Sequence, residues 1–84
     1  MEPCDVLHLG AELVTGDRAT THGDYKKSYA MVADLWASYT GAKISSQDVL
    51  IMMSLMKIAR MKHGTHNADD FVDGAAYLAM AESL

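Results

Sequence analysis

Apolar positions recur at helical spacing in four stretches of the chain, separated by polar, glycine-punctuated segments. In the first, from about Pro3 to Val14, Val6, Leu9 and Leu13 share one face, with Leu7 and Val14 beside them. That recurrence predicts an amphipathic helix, and Pro3 suits its first turn, where a missing N–H costs nothing. Residues Gly16 to Asp24 are polar and read as a loop. The second helix is predicted from about Asp24 to Tyr39, on the spacing of Tyr25, Tyr29, Val32, Leu35, Trp36 and Tyr39, with Gly41 as its stop. The third is introduced by Ser45-Ser46-Gln47-Asp48, in which Ser45 and Asp48 resemble a capping box. It runs to about Lys62, and Gly64 ends it. The fourth starts at Asn67, a good N-cap, or at Ala68, and continues nearly to Leu84. Phe71, Val72, Ala75, Ala76, Leu78 and Ala79 give it an apolar side with small residues. No segment alternates over strand lengths. The expected fold is all-α, a compact bundle of about four helices, with residues 1–84 as a single domain.

The third helix is unusual. Val49 to Arg60 is apolar almost all round, a pattern normally found on buried helices, yet it carries Lys57 and Arg60. Cations on a buried helix need anionic partners. Candidates follow about ten residues downstream, in Asn67-Ala68-Asp69-Asp70-Phe71-Val72-Asp73. Lys57 and Arg60, three apart, share a face, and so do Asp70, Asp73 and Tyr77. An antiparallel packing of the third and fourth helices brings the two sets together. The structural outcome is an ion-pair network. The functional outcome is a site in which Lys57 and Arg60 take a phosphate while Asp70 and Asp73 hold Mg²⁺ or orient the two cations, with Tyr77 behind them. Mg²⁺ accepts one or two carboxylates completed by phosphate oxygens and water. Asp69 and Asp70 are also explained as first-turn acids stabilised by the helix dipole. Asp73 lies too deep for that explanation.

Charge and composition narrow the classes. The 84 residues carry a formal charge of -4, which argues against a general nucleic-acid-binding surface. Half the residues are hydrophobic, seven of them Met, so a core this small is expected to be completed by homo-oligomerisation. The run Val49–Met56 is too short for a bilayer, which takes about 20 residues. The single Cys4 excludes an intramolecular disulfide and fits a reducing, cytoplasmic setting.

Two further places hold candidate chemistry. His22-Gly23-Asp24 stands at a loop-to-helix junction. Asp24 reads first as an N-cap; the alternative is an anion site at the helix N-terminus, with His22 as a donor at the rim. His63 and His66 lack a third ligand, so the pair is a weak zinc signal. No nucleotide-binding glycine loop, hydrolase elbow or zincin motif occurs.

Taken in order, His22-Gly23-Asp24, Leu35-Trp36-Ala37-Ser38-Tyr39, Met52-Met53, Leu55-Met56-Lys57-Ile58-Ala59-Arg60 and Asp70-Phe71-Val72-Asp73-Gly74-Ala75-Ala76-Tyr77 resemble a family of small uncharacterised phage and prophage proteins. That family reads HGD, LW, LKIAR and DxxD followed by Gly-Tyr. The departure is Gly74-Ala75-Ala76-Tyr77, where two residues separate Gly from Tyr. More distantly the chain is similar to the MazG-like all-α nucleoside triphosphate pyrophosphohydrolases, which hold Mg²⁺ around a triphosphate with ExxE and ExxD motifs. Asp70-xx-Asp73 stands in for the second motif; no ExxE is present, and Glu12 is alone on its helix. The phage resemblance implies a viral origin and a place in the host cytosol more than a reaction. With the charged cluster, the expectation is a protein that binds a nucleotide or other phosphate-bearing molecule, as a MazG-like Mg²⁺-dependent pyrophosphohydrolase relative; the alternative is a non-enzymatic anti-defence protein that sequesters a nucleotide signal, or one that binds and inhibits a host protein with the cluster purely structural.

Overall fold

The computed structural model describes residues 1–15 and 25–84, so His22 and Asp24 lie outside the described residues. Among the described residues four helices form: α1 (Pro3–Thr15), α2 (Tyr25–Thr40), α3 (Ser46–His63) and α4 (Ala68–Glu82). No strand occurs among the described residues, and the all-α expectation holds.

Local chemistry sets the helix ends. At the start of α3, Ser45 Oγ accepts from the Asp48 backbone N–H at 3.0 Å, and Asp48 Oδ2 accepts from the Ser45 N–H at 2.9 Å. Two orphan donors are thereby satisfied reciprocally, as a capping box requires. Asn67 caps α4 by accepting from the Asp69 N–H at 3.0 Å. Gly41, after α2, has φ +75°, a conformation that glycine adopts without steric cost. Gly64 ends α3 differently. Its φ is -100°, in the extended region, and its N–H donates to the Arg60 carbonyl.

α4 is the central helix, with α3 packed on one side and α1 on another, while α2 lies against α3. α3 and α4 form an antiparallel hairpin. Gln47, at the start of α3, donates to the Ala81 carbonyl near the end of α4, at 3.1 Å. The hydroxyls of Tyr25 and Ser83 are hydrogen-bonded, joining the start of α2 to the end of α4. Small residues allow close approach. A Cβ built on Gly10 of α1 would lie 3.7 Å from the Val72 carbonyl oxygen and 3.9 Å from the Ala76 nitrogen. Val72 and Ala76 therefore form the face of α4 turned to α1, and both are buried. Among the described residues, the fully buried large side chains are Val49 and Leu50 of α3.

The nearly all-round apolar character of α3 does not mean all-round burial. Val49, Leu50, Ser54 and Lys57 face inward, whereas Ile51, Met52, Leu55, Met56 and Ile58 are exposed. Phe71, read from the sequence as part of the apolar side of α4, is also exposed; its ring meets His66 at a centroid distance of 5.6 Å.

Candidate functional site

The antiparallel hairpin brings the C-terminal half of α3 beside the N-terminal half of α4. The predicted juxtaposition of cations and carboxylates is present. Lys57 Nζ lies 3.0 Å from Asp73 Oδ2 and 3.8 Å from Asp70 Oδ1. Arg60 Nε lies 3.1 Å from the same Asp70 oxygen. One carboxylate thus receives two cations, and one cation bridges two carboxylates.

Burial is unequal across the four. The side chains of Asp70 and Lys57 are 6% and 11% exposed, against 26% for Asp73 and 57% for Arg60. A charge held this far from water needs its partners. The network is neutral overall, two positive and two negative, which is what makes its burial tolerable. Asp73 was the carboxylate that sequence position singled out, but Asp70 is the deeper one and the one both cations share.

A neighbouring contact fixes the helix pair at this level. Ser54 Oγ donates to the Gly74 carbonyl at 3.1 Å in a buried setting. A Cβ on Gly74 would lie 3.7 Å from Lys57 Cβ and from Met61 Cε. Lys57 therefore leaves α3 where α4 presents only a glycine, and its stem fills the space beside it. Sequence reasoning passed over Ser54. The available signal was a lone small polar residue three positions before Lys57 on an otherwise apolar helix. Tyr77, half-buried, sits on α4 four residues beyond Asp73.

Chemically, the cluster can orient a guanidinium. Arg60 engages Asp70 through Nε, and a guanidinium carries five N–H donors in a planar fork. Its exposed part can meet an anion from solvent. As a metal site the cluster is sparser: among the described residues no group of three or more His, Cys, Asp or Glu stands close enough to hold an ion. His8 and Glu12 pair with each other on exposed α1 at 3.3 Å.

Fold and site together define a small all-α protein organised around a helical hairpin with a nearly buried, neutral charge network. The chain belongs to the family described as Domain of unknown function (DUF6378), which it matches over residues 5–84. It is 35% identical over 80 residues to the Gene 55 protein of Mycobacterium phage L5, an alignment covering 94% of this chain and 51% of the relative. To the Gene 55 protein of Mycobacterium phage D29 it is 33% identical over 79 residues, covering 94% and 52%. The chain therefore spans about half the length of these curated relatives. No solved structure matches. The expectation of a small phage protein family is met. Among the described residues, no helix is long and apolar enough to cross a membrane.

Proposed function

We propose that this phage protein binds a nucleotide or other phosphate-bearing small molecule at the Lys57, Arg60, Asp70, Asp73 cluster, with Arg60 as the recognising group. The observation that supports the reading is the state of Arg60: anchored at Nε by a buried carboxylate, yet more than half exposed. An arginine held in place by a buried acid loses less side-chain freedom when it meets a phosphate, and its fork geometry matches phosphate oxygens. His22 and Asp24 remain rim candidates on sequence grounds, and Tyr77 a supporting one.

Mg²⁺ fits this site only as a companion of the ligand. Asp70 and Asp73 are the carboxylates that would hold it, with Asp73 the more accessible, and both already face Lys57. Two carboxylates suffice when phosphate oxygens and water complete the octahedron. When bound, the ion would neutralise phosphate charge. Lys57 would pair with the phosphate in place of Asp73. The same donor set does not fit a two-metal hydrolytic centre, which clamps both the attacking and the leaving oxygens. Binding without turnover is therefore better supported than MazG-like pyrophosphohydrolysis, and sequestration of a nucleotide signal is the form of anti-defence activity that suits it. The second reading, inhibition of a host protein, is favoured by exposed apolar side chains away from the cluster, among them Leu7, Met31, Leu35 and Tyr39.

A thermal-shift screen across linear and cyclic nucleotides, with and without Mg²⁺, separates these readings. A ligand that binds only the folded state raises apparent stability. The expected result is a shift by at least one nucleotide, without pyrophosphate release, and lost in Arg60→Gln. Pyrophosphate release abolished by Asp73→Asn in a folded protein would establish the enzyme instead. No shift with any nucleotide, together with wild-type function of Lys57→Met, would sink both nucleotide readings and leave the host-protein one.

A further inference from the structure

We propose that the outer face of α3 is the seam of a twofold-symmetric homodimer in which two α3 helices pack antiparallel, centred on Leu55. This inference does not rest on the ligand reading.

The first support is area. The chain exposes 5977 Å², whereas a folded monomer of its 9.1 kDa is expected to expose about 4,900 Å². The surplus of roughly 1,000 Å² compares with the ~800 Å² that each partner buries in a standard stable interface. The molecule measures 40 × 32 × 19 Å, and its thinnest dimension is about two helix diameters. A slab of that kind leaves outer helix faces uncovered.

The second support is the pattern on α3. At 3.6 residues per turn, Asp48, Ile51, Met52, Leu55, Ile58 and Lys62 lie about 80–200° around the helix from inward-facing Leu50, on a flank turned away from Leu50, Ser54 and Lys57. The large apolar members of that stripe are 40–56% exposed. Opposite charges stand at its two ends, fourteen residues or about 21 Å apart. A self-complementary interface must place residue i against j and j against i. Antiparallel packing about Leu55 does this throughout. Asp48 meets the other copy's residue 62, a lysine. Ile51 comes level with the other copy's small Ala59, and Met52 with its Ile58. A parallel arrangement would instead oppose like charges at both ends. Charge complementarity thus selects a second copy in one orientation over an unrelated apolar partner.

The test begins with the mass of the intact chain in solution across a concentration series, by sedimentation equilibrium. The expected value is twice the chain mass. Leu55→Glu puts two carboxylates across the axis, where like-charge contact costs several kcal/mol, so the dissociation constant should rise at least about 100-fold. Because Leu55 is solvent-exposed in the single chain, the variant should keep its far-ultraviolet helix signal. Lys62→Glu should weaken association by about tenfold or less, as rim charges do. Orientation is read by oxidative crosslinking in a Cys4→Ser background. Mixed Ile51→Cys and Ala59→Cys chains should give the 51–59 heterodimer in excess over either homodimer. A monomer at all concentrations, a dimer indifferent to Leu55→Glu, or 51–51 and 59–59 crosslinks in place of 51–59 would overturn the proposal.

Discussion

Asp70→Asn is the sharpest probe of the charge network. The substitution is nearly isosteric, so it removes charge without opening a cavity. It leaves Lys57, itself nearly buried, with Asp73 alone, and strips Arg60 of its anchor. Removing one partner of a buried pair costs about 3–5 kcal/mol. Lys57 keeps its 3.0 Å contact with Asp73, so the lower end, about 3 kcal/mol, applies. An 84-residue domain is expected to have only about 4–13 kcal/mol in total. At 4–8 °C per kcal/mol for a domain of this size, the melting temperature should fall by roughly 12–24 °C. Asp73→Asn is the control. Asp73 makes the shorter contact with Lys57, but it is partly solvated and, among the described residues, meets one cation. After discounting for solvent screening its removal should cost about 1 kcal/mol, or roughly 4–8 °C. The assay is thermal unfolding by circular dichroism at fixed pH and salt. If Asp73→Asn proves as damaging as Asp70→Asn, burial and shared contacts do not rank the two carboxylates as argued. A Lys57→Met, Asp70→Asn double variant should recover part of the loss, because in-contact residues are non-additive and a paired deletion leaves no buried orphan charge.

Other consequences are independent of the cluster. Hydrogen bonds from the Ser45 backbone N–H and then its hydroxyl hold the Asp48 carboxyl below its ordinary value of 3.8. A depressed folded value means that the capping box stabilises above pH 3.8 and that this contribution disappears as pH falls through the lower folded value. The stability gap between wild type and Asp48→Ala should therefore be present at pH 6 and close on acidification toward pH 2. Gly10→Ala should raise stability by about 0.5–1 kcal/mol, since it improves helix propensity and its Cβ would meet only ordinary contacts. Gly10→Leu should instead cost about 1–3 kcal/mol by forcing α1 off α4; urea titration of both variants checks the opposite signs. Asn67→Ala should cost about 1 kcal/mol through the lost cap on α4.

Much of the architecture is legible in the chain because local chemistry and tertiary packing agree. Ser45 and Asp48 mark the start of α3, Asn67 marks that of α4, and Gly41 takes the positive φ its position implies. The meeting of Lys57 and Arg60 with the carboxylates of α4 follows from a short connection and antiparallel helices, both of which are readable. Other features depend on which face turns inward, which a nearly uniform apolar helix does not declare. The outward Ile51, Met52 and Leu55 are as hydrophobic as the inward Val49 and Leu50. Similarly, a first-turn position explains an acidic residue whether exposed, as Asp69 is, or buried, as Asp70 is. Only the packing of α3 on α4 separates them. Gly64 ends α3 as its position implies, and it does so in an extended conformation.

The ligand reading turns on Arg60, whose replacement by Gln removes the cation 3.1 Å from buried Asp70, so each protein is compared with its own ligand-free melting temperature. The direct measurement is a nucleotide titration of wild type and Arg60→Gln, followed by thermal shift. At a ligand concentration of 100 times its dissociation constant, wild type should gain about 2.7 kcal/mol, or roughly 11–22 °C, while Arg60→Gln keeps a normal fold and gains little. An equal gain by both proteins would remove Arg60 from the site, and no gain by wild type with any nucleotide would leave the cluster as an ion-pair network that only joins two helices.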